Sequence, residues 1–208
     1  MMQALATAWL ASATPVAPLP EGATADGKFM DCQGARLCGV LALETGLGQG
    51  YYHHDKPGVH GLWPQVKPYG SSACVGPSGS RADPTSVFSC YVDAHAGSAH
   101  QLDFEIHEWE KHGQCAGARN ATDYFDQICA MAAAPTDVMA RERQKGTTKL
   151  DGYVDALKAA GYPVWAAEQS GSQVQLSACS GHDGLWKIAG PKQFADLCGN
   201  TAPVSPVR

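Results

Sequence analysis

No two cysteines in this 208-residue chain are spaced C-x-x-C. That excludes the usual zinc ribbons and thioredoxin-like redox sites. No stretch holds enough consecutive apolar residues to span a bilayer, so membrane insertion is not expected. An excess of basic charge is missing too: 15 Lys and Arg stand against 20 Asp and Glu, a net −5. Such a balance argues against a protein that coats polyanions non-specifically. It leaves room for an enzyme that binds a few phosphates locally, most of all at acidic pH, where its eight histidines can charge. Internal repeats, heptads and blocks of like charge are absent. Strand-like and helix-like segments do not alternate regularly, which favours an α+β fold over a doubly wound one. Finally, no Lys or Arg precedes the short apolar run Ala4 to Ala11. The opening "MMQALATAWLASATPVAPLPEG" therefore lacks the charged start of a secretory signal, although its small residues resemble the end of one. Residues 1–20 are read as a leader, whether a weak signal, a truncated one or a flexible segment, and 21–208 as a single domain.

What is present begins with eight scattered cysteines: Cys32, Cys38, Cys74, Cys90, Cys115, Cys129, Cys179 and Cys198. An even, scattered set points to disulfides and an oxidising compartment. The sequon Asn120-Ala121-Thr122 would be glycosylated only on a eukaryotic secretory route. "GVLALETG" (39–46) reads as a buried strand and "VHGLWPQV" (59–66) as a short one closed by Pro64. "GSSACVGPSGSRADPTS" (70–86) reads as loop. Helices are expected over 102–115, stopped by Gly113, over 121–134 with Thr122 or Asp123 as N-cap, and over 150–161. Strands are expected at 172–180 and 185–190.

The helix at 102–115 carries "HEWEKHGQC". At about 100° per residue, His107, Glu108, Lys111 and His112 fall within an arc of roughly 140°. Two imidazoles, a carboxylate and an ammonium thus share one face; the plain alternative is a solvated face with salt bridges. Zinc hydrolases use H-E-x-x-H, with histidines four apart on one side of a helix. Here they are five apart and Lys111 adds a positive charge, so no metal site is expected. His60, in "VHGLWPQ", is the other candidate, though a half-buried histidine beside a core Trp63 is the plain reading of that stretch alone. Two histidines and a cation suit cleavage of RNA by its own 2′-OH. One imidazole takes the 2′-OH proton, the other protonates the departing 5′-oxygen, and the cation meets the charge on the phosphorane. No cofactor is needed, because the nucleophile belongs to the substrate.

"HGLWPQ" (60–65) and "FEIHEWEKHGQC" (104–115) together resemble the two active-site motifs of the ribonuclease T2 family, the acid endoribonucleases that include the self-incompatibility ribonucleases of plants. The likeness extends loosely over residues 36 to 198. It implies a central, mainly antiparallel sheet flanked by helices. It implies His60 as general acid, His112 as general base, His107 as phosphate ligand, and Glu108 and Lys111 as stabilisers of the pentacoordinate state. Trp63 would stack on a base and Phe104 line a second base pocket, with burial in the core as the alternative for both. The substrate would be single-stranded RNA and not DNA, the protein a monomer, and the setting secreted, vacuolar, lysosomal or periplasmic. An acidic optimum, at about pH 4–6, is expected from imidazole chemistry and the resemblance. Gln65 stands where the family often has an acid or polar residue that helps read the base, and Glu105 where an aromatic is common. By the same resemblance Cys115 pairs with Cys74 or Cys90, and Cys179 with Cys198. Cys32 with Cys38 is a plausible local pair, which leaves Cys129 for whichever of Cys74 and Cys90 remains. A metal-dependent hydrolase, or a binding protein on an inactive ribonuclease scaffold, are the rival classes; the second usually loses a catalytic histidine, and all three are here.

Overall fold

The computed structural model describes residues 29–66, 70, 72–91 and 98–199. The leader expected at 1–20 lies outside them. The fold is α+β, with one antiparallel five-stranded sheet and helices around it.

β1 (Leu37–Glu44) sits in the middle of the sheet, between β2 (Gly58–Pro64) and β4 (Gln173–Ser180). That position explains its near-continuous apolar sequence, LCGVLALE, in which every residue but the last is buried. Glu44 ends the strand directly opposite Gly58 on one side and Gln173 on the other. On the outer edge of β4, β3 (Val164–Glu168) pairs with one half and β5 (Trp186–Ile188) with the other. Between them Ser177 donates its hydroxyl to the Ala189 carbonyl at 2.7 Å, and its N–H to the Pro163 carbonyl at 3.0 Å. β3 was not expected from sequence; "VWAAE" is too short and too weakly alternating to declare itself.

α1 (Ser98–Lys111) begins four residues before the expected helix and ends four residues before its expected end. His112 leaves the helix, at φ −128° and ψ −47°, and Gly113–Cys115 forms a separate tight turn. Gly113 lies against the face of Trp109, where any β-carbon would collide with the ring. α2 (Ala121–Gln144) runs ten residues past its expected end at Ala134, straight through Pro135. The proline removes one backbone donor. The residues beyond it continue to bury, with Met139 inaccessible to solvent, and that packing outweighs the break. The N-cap of α2 is Asn120, two residues before the nearer of the expected caps: its Oδ1 accepts the Asp123 N–H at 2.9 Å. α3 (Leu150–Ala159) and the short α4 (Phe194–Cys198) complete the set.

One face of the sheet, with Leu41, Leu43, Leu62, Val174 and Leu176, packs with Trp109, Phe125, Ile128 and Leu157 of the helices. A smaller cluster of Met30, Val40, Ala189 and Phe194 is joined by Trp63. Tyr124 of α2 donates its hydroxyl to the Leu62 carbonyl at 2.6 Å, fixing β2. Four disulfides close the molecule: Cys32–Cys38, Cys74–Cys115, Cys90–Cys129 and Cys179–Cys198. Of the two partners open to Cys115, it takes Cys74.

Candidate active site

β1 and β2 do not pair evenly. Leu43 faces Val59 and Ala42 faces Gly61, so His60 is an extra residue in the ladder, a β-bulge. A bulge turns a side chain away from the regular alternation of a strand. Here it delivers an 8 % exposed imidazole to a junction of two carboxylates. His60 Nδ1 lies 2.6 Å from Glu44 Oε1, and Nε2 lies 3.5 Å from Glu108 Oε1. Glu44 uses its other oxygen on His54 Nε2, at 2.9 Å.

Glu108 rises from α1 and is 2 % exposed. Its Oε2 accepts the indole N–H of Trp63 at 2.9 Å. This carboxylate presses so close to β2 that a β-carbon on Gly61 would strike it. The glycine between His60 and Leu62 is therefore a packing requirement of the site. Trp63 in turn touches both imidazoles: its ring centre is 5.1 Å from that of His60 and 5.5 Å from that of His112. The His112 N–H still bonds the Glu108 carbonyl at 2.9 Å, which anchors the histidine where the helix ends. Phe104 stands edge-on to His60, with ring centres 5.0 Å apart, and Tyr52 stacks on it at 5.9 Å.

The environments pull the two imidazoles in opposite directions. Burial disfavours the charged form of His60, but hydrogen bonds and charge from Glu108 and Glu44 outweigh it and raise its pKa to about 9. For His112 burial is the largest effect and lowers the pKa to about 4. Glu108 opposes that shift, while the positive charges of His60, His107 and Lys111 add to it. Glu44 is held below the usual carboxylate range: burial opposes this, and its bonds to His54 and His60 prevail.

An open cleft of about 1070 Å³ adjoins the site, its walls including Glu44, Tyr52, His60, Phe104, His107 and Glu108. His107 and Lys111 are exposed on α1. Trp63, Lys111 and His112 do not line this cleft. Gln65 is the expected site residue that the fold leaves apart: its Oε1 accepts the Met30 N–H at 3.2 Å. Among the described residues no cluster of three His, Cys, Asp or Glu side chains could hold a metal ion.

Three contributors escaped the motif reading. Glu44, His54 and Gln173 come from outside both motifs. A carboxylate closing an otherwise apolar, buried strand is the signal that points to Glu44, because a buried charge needs partners. Gln173 of β4 places its amide nitrogen 3.0 Å from His60 Nδ1, while its Oε1 is buried without a partner. With Glu44 beside it, Nδ1 carries a proton and cannot accept another. The amide is therefore better turned over, with Oε1 as a second acceptor for His60.

A model of the Ribonuclease T2 family matches residues 44–147. The chain belongs to the ribonuclease T2 family. The match starts at Glu44 and contains every residue expected to do chemistry. No curated protein and no solved structure matches the chain.

Proposed function

We propose that this ribonuclease T2 family member is an endoribonuclease that cleaves single-stranded RNA through a 2′,3′-cyclic phosphate, without a metal ion. The observation that carries the reading is the pair of imidazoles meeting at Trp63. One is held between two carboxylates and keeps its proton; the other is half-buried near two cationic side chains and stays neutral. His112 takes the proton of the 2′-OH as that oxygen attacks phosphorus. His60 gives its Nε2 proton to the 5′-oxygen as the P–O bond breaks, leaving a 5′-OH and a cyclic phosphate. In the second stage His60 takes a proton from water and His112 returns one to the 2′-oxygen, leaving a 3′-phosphate. His107 binds the phosphate. Lys111 meets the negative charge of the phosphorane, and Glu108 contributes by holding His60 and Trp63 in place. Phe104 and the exposed part of Trp63 offer ring surfaces to bases.

The pair of pKa values gives kcat/KM an acid limb near 4, where His112 protonates, and a basic limb near 9, where His60 loses its proton. Within these limits the optimum is placed on the acidic side, at about pH 4–6, by imidazole chemistry and membership in the family. A secreted, vacuolar, lysosomal or periplasmic setting, oxidising enough for four disulfides, accords with this.

The test is incubation with single-stranded RNA at pH 5 in EDTA, with the product ends identified. Cyclic phosphate and 5′-OH ends are expected, and DNA should remain intact. Ends bearing 5′-phosphates would mean that the 2′-OH is not the nucleophile. RNA binding without any cleavage would favour the inactive-scaffold class. His60→Phe and His112→Phe should each lower kcat by roughly 10²–10⁴-fold.

A further inference from the structure

His60 is approached from three strands and one helix. Glu108 and Phe104 face it from α1, Gln173 from β4, Trp63 from its own strand, and Glu44 from β1. Tyr52 and His54 close the side toward the loop after β1. Of these only Glu44 both bears a full charge and sits on Nδ1, the nitrogen turned away from Glu108.

We propose that Glu44 is a positioning residue for His60. Its Oε1 binds Nδ1 and its Oε2 is held by His54 Nε2, so the imidazole keeps one orientation and one tautomer through both chemical stages. The inference rests on the ribonuclease reading above.

The geometry supports each part. Glu44 is itself fixed, by its place in the central strand and by His54 at its second oxygen. His54 is anchored in turn, its Nδ1 bonded to the Lys56 carbonyl. A carboxylate held in this way defines where the ring of a bulge residue points, which the backbone of an irregular strand does not do alone. It also decides the proton inventory. When His60 gives up its Nε2 proton, the remaining one stays on Nδ1, hydrogen-bonded to Glu44 Oε1. The lone pair is then on Nε2, the nitrogen on the side of Glu108, which with His60 lines the cleft. There it can accept a proton from water in the second stage, and His60 returns to its starting form. With Nδ1 and Nε2 exchanged, that stage would stall, because the basic nitrogen would face Glu44.

The experiment combines ring nitrogen NMR of His60 with the pH profile of kcat/KM, on the full chain and on Glu44→Gln and Glu44→Asp. In Glu44→Gln the titration midpoint of His60 should fall by about one pH unit or more, since an unlike charge within hydrogen-bonding distance is removed. The basic limb of kcat/KM should fall by the same amount, with KM little changed. At the alkaline end, neutral His60 should be protonated on Nδ1 in the wild type and lose that preference in Glu44→Gln. Glu44→Asp, which keeps the charge, should retain most of the high midpoint. An unmoved titration and an unmoved limb in Glu44→Gln overturn the proposal. A moved titration with an unmoved limb overturns it as well, by severing the contact from turnover. NMR needs no substrate. If the wild type cleaves no RNA, the function assignment fails separately, and the titration and tautomer still support or overturn the hold of Glu44 on His60.

Discussion

At the level of single residues, one buried carboxyl among the described residues is not used by the proposed chemistry. Glu105 of α1 is inaccessible to solvent, one turn before Glu108. Its Oε1 accepts the Phe88 N–H at 2.9 Å, but its Oε2 is buried without a partner. Burial raises its pKa from 4.5 to about 7, with the Phe88 bond pulling the other way. The folded state thus holds this proton more tightly than the unfolded chain does. The associated stability is complete below about pH 4.5 and is lost as pH rises through 7, up to about 3 kcal/mol. Glu105→Gln should therefore gain in thermal stability, relative to wild type, far more at pH 8 than at pH 4.5. Melting curves at both values decide it; equal effects would mean that folding leaves the Glu105 carboxyl at its ordinary pKa. An acidic surrounding suits such a residue, as it suits the proposed chemistry. His60, His107, Glu108, Lys111 and His112 were all legible in the sequence, because two short motifs contain them. Glu44, His54 and Gln173 were not: Glu44 and Gln173 reach His60 through strand pairing, His54 reaches Glu44 from a loop, and neither leaves a local trace.

Among the elements, β2 and α1 meet through a close approach at Gly61. Gly61 admits Glu108, and Glu108 holds both His60 and Trp63. Gly61→Ala should displace that carboxylate, break its bond to Trp63 and lower kcat at least tenfold, while the far-ultraviolet circular dichroism stays as it was. Kinetics and dichroism of one preparation check both halves, and unchanged kcat would show that Glu108 can retreat without consequence. The same junction shows why element boundaries were harder to read than element types. Apolar periodicity found β1, β2, α1, α3 and β4 to within a few residues. It could not find the end of α1, which is set by Trp109 packing on Gly113. Nor could it carry α2 past Pro135, since local propensity favours a stop there and only burial of Met139 and its neighbours overrides it. The N-cap shifted to Asn120 for a similar reason: Asn120, Thr122 and Asp123 can all cap, and the one whose side chain meets a free N–H does so.

For the molecule as a whole, the sheet and its helices are tied by covalent links between distant segments. Cys74–Cys115 and Cys90–Cys129 close loops of 41 and 39 residues. Each restricts the unfolded chain by about 4 kcal/mol. Replacing Cys74 and Cys115 together by Ser should lower the melting temperature by roughly 8–16 °C. It should also loosen His112, three residues before Cys115. Calorimetry on the oxidised double variant measures the first effect, and a loss of kcat beyond that of a Cys90/Cys129 double variant measures the second. Comparable kcat losses in the two variants would leave Cys74–Cys115 with a purely stabilising part. The bulge in β2 has a consequence of another kind. Remove His60 alone, and Val59 opposite Leu43 would run directly into Gly61 opposite Ala42, a ladder without a flaw. The residue to which the acid chemistry is assigned by the proposal is a supernumerary one, spliced into a strand that would be more regular without it. A single in-frame codon deletion would therefore remove the proposed acid and leave the ladder regular, so that in this architecture an intact sheet carries no information about whether the proposed activity is present.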